Sequence, residues 1–222
     1  MRMRLNKFLA AGSDLSRRAA DTAVASGRVM VNGRTAEQGM DVLVTDKVTL
    51  DGQPIKAVVE NVTIILNKPR GYVVSRNGQG SKTIYDLLSP GYRSLNPVGR
   101  LDKDSSGLLL LTSDGQLANE LTHPSRQKLK IYEVQLDKPL EPLHRQMISD
   151  HGLMLEDGLS KLQLDRQTDS DDTRWIVHMH EGRNRQIRRT FAALGYTVQT
   201  LHRTQFGPYT LDGLAKGSVK VT

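Results

Sequence analysis

The feature that most constrains the fold is an uninterrupted run of four leucines at positions 108–111, with Gly107 before it and Gly115 shortly after it. The run is too short for a membrane span or an independent helix, so it predicts a buried β-strand. The loop before this strand carries four charged residues, Arg100, Asp102, Lys103 and Asp104. Since a buried strand needs no charged residues in the loop before it, these residues must pair with one another or bind a ligand. Taken alone, they fit either a surface loop with exchanging ion pairs or a site that holds a reactive aspartate.

The segment 99–115 as a whole has the pattern of a known catalytic motif. It reads Gly-Arg-Leu-Asp, two further residues, a serine, a second small residue, and then the apolar run that ends in Thr-Ser-Asp-Gly. This pattern resembles the catalytic motif of the pseudouridine synthases that modify bacterial ribosomal RNA. The resemblance implies that Asp102 is the catalytic aspartate and that Arg100 contacts RNA or intercalates between its bases.

A second segment, residues 130–134, is similar to the Lys-x-Tyr strand of the same family. The resemblance implies that Tyr132 stacks on the target base and handles a proton. Without it, Tyr132 would be interpreted as a core residue of a strand. Residues 201–208 are similar to the closing strand and loop of the family, so the resemblance covers the chain after Val62.

The third segment, residues 183–191, is rich in arginine and is similar to the third motif of the family. The resemblance implies that Arg188 pairs with Asp102. The residues themselves also fit a solvated cationic helix with an apolar face of Ile187 and Phe191. Because closely spaced arginines repel one another unless anions intervene, we expect one arginine to turn inward to Asp102 and the others to face RNA.

Two features of this third segment depart from the pattern of related enzymes. Thr190 stands where a methionine is usual, and no histidine precedes Gln186, as it typically does in the small-subunit RNA enzymes of the family. The second feature favours large-subunit RNA as the substrate.

The first 59 residues predict a small αβ unit. Apolar residues at helical spacing predict a helix from Leu5, and a second helix is expected at 17–25 after Ser16. Asn32-Gly33 and Asp51-Gly52 predict two hairpin turns. Residues 4–9, 16–21 and 27–33 together resemble the alpha-L RNA-binding domain found in a ribosomal protein and in many RNA-modifying enzymes.

The sequence therefore predicts an α+β protein with an RNA-binding domain at 1–59 and a catalytic domain at 60–222. The catalytic domain is expected to have a mixed, mostly antiparallel sheet flanked by helices, because strands and helices alternate without repeated βαβ spacing. Twelve cations are predicted to contact RNA, although charged residues on a solvated face would look the same: Arg4, Lys7, Arg17, Arg18, Arg28, Lys68, Arg70, Arg100, Lys130, Arg183, Arg185 and Arg203.

Composition agrees with an RNA partner and limits the chemistry. The net charge is +7, which favours a polyanion. The absence of cysteine excludes disulfides, thiolate catalysis and cysteine metal sites. The histidines lack metal-ligand spacing, and isomerising uridine needs no oxidant, so neither a metal nor a cofactor is expected. No signal core or membrane span is evident, so we expect a cytoplasmic monomer that acts on ribosomal RNA or an assembling ribosomal subunit.

Three functions remain open at this point. The first is a ribosomal RNA pseudouridine synthase, with large-subunit RNA favoured over small-subunit RNA. The second is a noncatalytic RNA-binding protein of ribosome assembly that keeps the fold. The third is a glycosidase with Asp102 as its nucleophile, which ranks last because retaining hydrolysis needs a second carboxylate about 5 Å away and only Asp104, beside it on the loop, is close in sequence.

Overall fold

The computed structural model describes residues 2–43, 45–56 and 61–222. The chain divides into two compact units, Met1–Asn61 and Val62–Thr222, and each contains its own cluster of buried apolar side chains. The boundary predicted between residues 59 and 60 falls within 57–60, outside the described residues. The predicted α+β class, with a small unit followed by a larger one on a mixed, mostly antiparallel sheet, is confirmed.

The first unit contains two helices and short antiparallel strands. Helix α1 (Leu5–Gly12) buries Leu5, Phe8 and Leu9, and the hydroxyl of Ser16 caps helix α2 (Arg17–Ala25). Both predicted hairpin turns are present, with positive φ at both turn residues. The strands are β1 (Arg2–Arg4) paired with β4 (Asp41–Leu43), and a sheet in the order β3 (Arg34–Thr35), β2 (Val29–Val31), β5 (Val48–Leu50) and β6 (Gln53–Ile55).

The second unit is built on one large sheet. In spatial order its main strands are β13 (Gln163–Arg166), β14 (Arg174–Met179), β10 (Lys130–Leu136), β15 (Val198–Phe206), β9 (Ser106–Thr112), β7 (Thr63–Lys68) and β17 (Val219–Val221). Short strands β8 (Asn96–Pro97) and β16 (Tyr209–Thr210) pair with β9 and β15, and a separate hairpin joins β11 (Leu153–Leu155) to β12 (Gly158–Ser160). Among the described strands of this sheet, β9 and β15 run parallel and the other neighbours run antiparallel.

Helices cover this sheet at several points. Helix α3 (Gly115–Thr122) is capped by Asp114, whose carboxylate accepts hydrogen bonds from the Gln116 and Leu117 amides. The other helical segments are α4 (Pro142–Gln146), which continues as a π-helical turn at Met147–His151, helix α5 (Gln186–Ala192), and 3₁₀ turns at Ile84–Leu87, Pro90–Tyr92 and Pro124–Arg126.

The leucine run forms the centre of the sheet, as predicted, and both of its faces are covered. Leu109 and Leu111 pack in the larger apolar cluster, whereas Leu108 and Leu110 pack in a second cluster on the opposite face. All four side chains have no exposed surface. The strand therefore gives the loop in front of it a rigid base.

No helix among the described ranges is both long and apolar enough to cross a membrane. Within those same ranges, no group of three or more histidine or acidic side chains could hold a metal ion.

Candidate active site

A buried lysine holds the backbone of the loop that carries Asp102. Lys68, at the end of β7, has no exposed surface, and its ammonium donates to the carbonyl oxygens of Asp102 at 3.0 Å, Ser105 at 2.7 Å and Pro69 at 3.1 Å. Three donors thus meet three acceptors. Burial lowers the pKa of Lys68 to about 8, although the charges of Asp102 and Asp104 oppose this shift. Lys68 holds the backbone of the loop and is inaccessible to phosphate, so its predicted RNA contact is wrong.

The carboxylate of Asp102 meets an arginine, but not the predicted one. Nη1 of Arg185 lies 3.3 Å from Oδ2 of Asp102 and 3.2 Å from Oδ1 of Asp104, and its Nη2 lies 3.2 Å from Oδ2 of Asp104. Arg185 therefore binds Asp104 through both nitrogens and Asp102 through one. The predicted outward position of Arg185 is wrong, because the residue turns back over the loop with a left-handed backbone conformation, φ 46°.

Arg188 occupies the position behind Asp104. Its Nη1 donates to the Val198 carbonyl at 2.6 Å, its Nη2 donates to the Asp104 carbonyl at 3.2 Å, and its Nε lies 3.3 Å from the Asp104 carboxylate. These contacts hold the guanidinium away from Asp102, so the expected ion pair between Arg188 and Asp102 is not formed. Arg188 still lies close enough to act on Asp102 through its charge.

Asp104 is the carboxylate that both arginines share. Partial burial would raise the pKa of Asp104, but the hydrogen bonds from Arg185 and the charges of Arg188 and Arg185 outweigh it and hold the pKa below the usual value. The ionised Asp104 therefore fixes two guanidinium groups beside Asp102. The sequence placed Asp104 in the charged cluster but gave no sign of this role.

Tyr132 is aligned with the aspartate loop by the register of four neighbouring strands. Tyr132 pairs with Arg203, Arg203 with Gly107, and Gly107 with Lys68. Paired residues lie at the same level on one face of a sheet, with strands about 4.8 Å apart. The phenol ring thus lies on the face from which Lys68 supports Asp102. Tyr132 is 8% exposed, so the residue is almost entirely buried.

Gly107 is needed where the parallel strands meet. Its φ is +106°, and a Cβ there would lie 2.2 Å from the Arg203 carbonyl oxygen and 2.5 Å from the Arg203 amide nitrogen. A side chain would push β15 away from β9 and move Tyr132 relative to Asp102. Gly107 is thus a structural requirement of the site.

Of two further predicted RNA contacts, one is buried and the other is bound to a neighbouring hairpin. Arg203 is 2% exposed, donates from Nε to the Leu108 carbonyl at 2.8 Å, and lies over the rings of Phe206 and Tyr132. Arg183 donates to the carbonyls of residues 157, 158 and 159 and pairs with Asp157 and Glu181. The expected RNA role of Arg203 is wrong because it is buried. Arg183 holds the hairpin β11–β12 but keeps one-fifth of its side chain exposed, so its RNA contact stays a prediction.

The other predicted RNA contacts lie at or near the surface. Lys130 is half-buried over Phe206 with its ammonium near three carbonyls, and burial lowers its pKa. In the second unit Arg70 and Arg100 are exposed. In the first unit Arg17 and Arg18 are exposed and Lys7 is half-buried, whereas Arg4 pairs with Asp41 and Arg28 with Asp51.

Comparison with known proteins connects this geometry to a reaction. A model of the family described as RNA pseudouridylate synthase matches residues 62–193, and a model of the S4 domain matches residues 3–48. A solved crystal structure of a pseudouridylate synthase superposes with a TM-score of 0.69 and 30% identity, covering 99% of this chain and 96% of that one. The likeness therefore extends over both units.

Several curated relatives span nearly the whole chain. A ribosomal large subunit pseudouridine synthase B from Bacillus subtilis is 35% identical over 98% of this chain and 91% of its own length. A ribosomal small subunit pseudouridine synthase A from Pasteurella multocida is 36% identical over 98% of this chain and 95% of its own length. The large subunit enzyme from Xanthomonas campestris is 38% identical over 94% of this chain, which spans only 44% of that relative.

Proposed function

The chain belongs to the RNA pseudouridylate synthase family, and from that premise we propose that it converts a uridine of large-subunit ribosomal RNA to pseudouridine with Asp102 as the catalytic carboxylate. The observation that carries the proposal is the support of Asp102. Lys68 holds its backbone carbonyl, Arg185 contacts its carboxylate, and Tyr132 lies in register on the same face of the sheet.

The reaction is an isomerisation, and its atoms balance without a further reactant. The bond between N1 of uracil and C1′ of ribose breaks, the base turns, and a bond forms between C5 and C1′. The proton on C5 leaves and N1 gains one. The site must therefore supply a nucleophile or base for the sugar, a place for the base to turn, and a group that moves a proton.

Asp102 is suited to the first task. Its carboxylate is one-third exposed, so the ribose has access to it, while the Arg185 guanidinium orients it. The carboxylate can add to C1′ or remove the C2′ proton to give a glycal. Both routes begin with an ionised Asp102.

Tyr132 is suited to the other two tasks. Its ring offers a flat surface against which uracil can stack, and its hydroxyl can receive or relay the C5 proton. Because Arg203 lies 6.0 Å from the ring centroid and is itself buried, the tyrosine is held from one side. The base can then turn against a fixed surface.

Exposed cations provide the attraction for RNA in this proposal. Arg70 lies near enough to Arg188 to influence its charge, and Arg100 precedes Asp102 by two residues, so both lie beside the reactive loop. Contacts to phosphate give affinity without sequence information. In the S4-type unit, Arg17 and Arg18 at the start of α2 are exposed and extend this attraction to the RNA around the target.

The preference for large-subunit RNA rests on the third motif and on the relatives. No histidine precedes Gln186, and most of the relatives described above carry large subunit in their names. The Pasteurella relative makes small-subunit RNA the alternative substrate. We further propose that the protein acts as a monomer in the cytoplasm, on free ribosomal RNA or on an assembling subunit.

The decisive experiment maps pseudouridine in unmodified large- and small-subunit ribosomal RNA by carbodiimide treatment and primer extension. The RNA is incubated with the wild type or with the nearly isosteric Asp102→Asn variant. A stop that only the wild type produces on large-subunit RNA supports the proposal, and a stop on small-subunit RNA supports the alternative. Intact binding with no stop on free RNA or on isolated subunit precursors would favour a noncatalytic RNA-binding protein.

A further inference from the structure

Helix α5 contains a buried hydroxyl where the family usually has methionine. Thr190 has no exposed surface, and its Oγ1 lies 2.7 Å from Oγ of Ser160, which is also fully buried. Thr190 Oγ1 donates to the Gln186 carbonyl at 2.9 Å. Since a hydroxyl has one proton, Ser160 must be the donor to Thr190. A methionine at position 190 would leave the Ser160 proton without this acceptor.

The chain of hydrogen bonds continues through Gln186, which is 2% exposed. Its Nε2 donates to Oγ of Ser160 at 3.0 Å and also to the carboxylate of Glu181, and its Oε1 accepts from the Arg183 amide at 3.3 Å. Gln186 thus binds the loop 181–185 at two points and the end of β12 at a third. Each donated proton of Gln186, Ser160 and Thr190 has its own acceptor, so all these hydrogen bonds can form at once. Each of the three buried groups is therefore satisfied.

This network lies next to the residue that contacts the aspartates. Arg185 directly precedes Gln186 and has φ 46° and ψ 30°, a left-handed conformation that a residue with a Cβ adopts only when its surroundings impose it. The turn directs the guanidinium to Asp102 and Asp104. The hydrogen bonds of Gln186, which follows the turn, and those of the loop 181–185, which contains it, impose this conformation on Arg185.

We propose that Thr190 and Ser160, acting through Gln186, are positioning residues that hold the Arg185 guanidinium on Asp102. The inference rests on the proposed function for the reaction, but its geometry is specific to this chain because it depends on the threonine. Neither hydroxyl touches the reacting atoms. Removing one frees Gln186 to move, relaxes the strained turn and lets Arg185 leave the carboxylates.

The variants are chosen to separate positioning from stability. Thr190→Val keeps the shape and removes the hydroxyl, Thr190→Ser keeps the hydroxyl, and Ser160→Ala breaks the network at its middle. Thr63→Val is the matched control. Its hydroxyl makes a similar 2.8 Å bond with Thr112, at the end of β7 opposite Lys68.

The measurement is the single-turnover rate of pseudouridine formation, together with thermal unfolding of each variant. We expect Thr190→Val and Ser160→Ala to lower the rate by about tenfold, as displacement of an aligned group does, with Thr190→Ser and Thr63→Val within about twofold of the wild type. In an Arg185→Ala background, Thr190→Val should lower the rate by less than about twofold, because the group that it positions is absent.

Three results would overturn the inference. They are equal rates for Thr190→Val and Thr63→Val, an undiminished effect of Thr190→Val in the Arg185→Ala background, or failure of Thr190→Ser to restore the rate. A wild type without activity would refute the proposed function instead. In that case the NMR resonance of Arg185 Nε–H, assigned by its loss in Arg185→Lys, tests the positioning role. The resonance should shift in Thr190→Val and keep its position in Thr63→Val. An unchanged resonance in Thr190→Val refutes the positioning role.

Discussion

Nη1 of Arg185 lies 3.3 Å from Oδ2 of Asp102 and 3.2 Å from Oδ1 of Asp104, so a single guanidinium joins the two carboxylates of the loop. Asp104 in turn pairs with Arg188. The Asp102 carboxylate is therefore held within a network of four charges, in which Asp104 pairs with both arginines.

Replacing Arg185 with alanine should slow the reaction while RNA binding persists. We expect the single-turnover rate to fall by about 100-fold, the magnitude typical for loss of one preorganised electrostatic contact. Arg166→Ala is the control, because Arg166 forms an exposed ion pair with Asp172 on the edge strand β13 and should change the rate little. A rate for Arg185→Ala within threefold of the wild type would contradict the assigned pair.

Replacing Lys68 with methionine should destabilise the second unit. The change leaves the carbonyls of Pro69, Asp102 and Ser105 without their common donor, and buried unsatisfied groups each cost about 1–3 kcal/mol. We expect the free energy of unfolding in urea to fall by about 3 kcal/mol and the rate of isomerisation to fall with it. A variant as stable as the wild type would show that the three bonds contribute nothing to the loop.

The effect of Lys68 on stability should depend on pH. The pKa of Lys68 is lowered by burial to about 8, below its ordinary value of 10.5. Between these values the unfolded chain binds more protons, so the free energy of unfolding of the wild type rises with pH relative to Lys68→Met. We expect the difference between the two proteins in urea to widen by roughly 2 kcal/mol at most from pH 7.5 to pH 10. A constant or shrinking difference contradicts the lowered pKa.

Replacing Gly107 with alanine should be among the most damaging small changes in the chain. The new Cβ would meet backbone atoms of Arg203 at a φ of +106°, and overpacking of this kind costs about 1–3 kcal/mol beyond the backbone strain. Gly213→Ala is the control, since its φ is also positive but no atom lies within 4 Å of the added Cβ. We expect a lower melting temperature for Gly107→Ala than for Gly213→Ala, and equal melting temperatures would disprove the close approach.

Exposed and buried arginines should differ in how they affect RNA affinity. Arg70→Ala and Arg100→Ala should each weaken binding and lower the slope of log affinity against log salt by about one, as loss of a phosphate contact does. Arg203→Met should leave the slope unchanged, because Arg203 is buried in the sheet. Filter binding at several salt concentrations measures all three, and a reduced slope for Arg203→Met would restore its predicted RNA contact.

The sequence predicted the elements of the fold well because its signals were local. Helix α2 follows Ser16, the Asn-Gly and Asp-Gly pairs make tight turns, and the leucine run forms a central strand. The parallel pairing of β9 with β15 has no local signal, because it joins residues that are 96 positions apart.

For the site, the resemblance drew attention to the Asp102 loop but predicted contacts that the structure does not form. Arg185 and Arg188 lie one helical turn apart, so either could have reached Asp102. The choice depends on the left-handed turn at Arg185 and on the Val198 carbonyl that binds Arg188. Likewise, a lysine and an arginine in basic segments were predicted to bind RNA, whereas Lys68 and Arg203 are buried.

Strand β15 has a consequence for the order in which the protein becomes active. In the sheet it lies between β10, which carries Tyr132, and β9, which follows the Asp102 loop. Without β15 these two halves have no common edge. During synthesis, Asp102, Tyr132 and helix α5 leave the ribosome before β15 does. At that stage the nascent chain still lacks the strand that joins them. A nascent chain that ends before residue 198 should therefore be catalytically silent, because the strand that brings Asp102 and Tyr132 together is still missing.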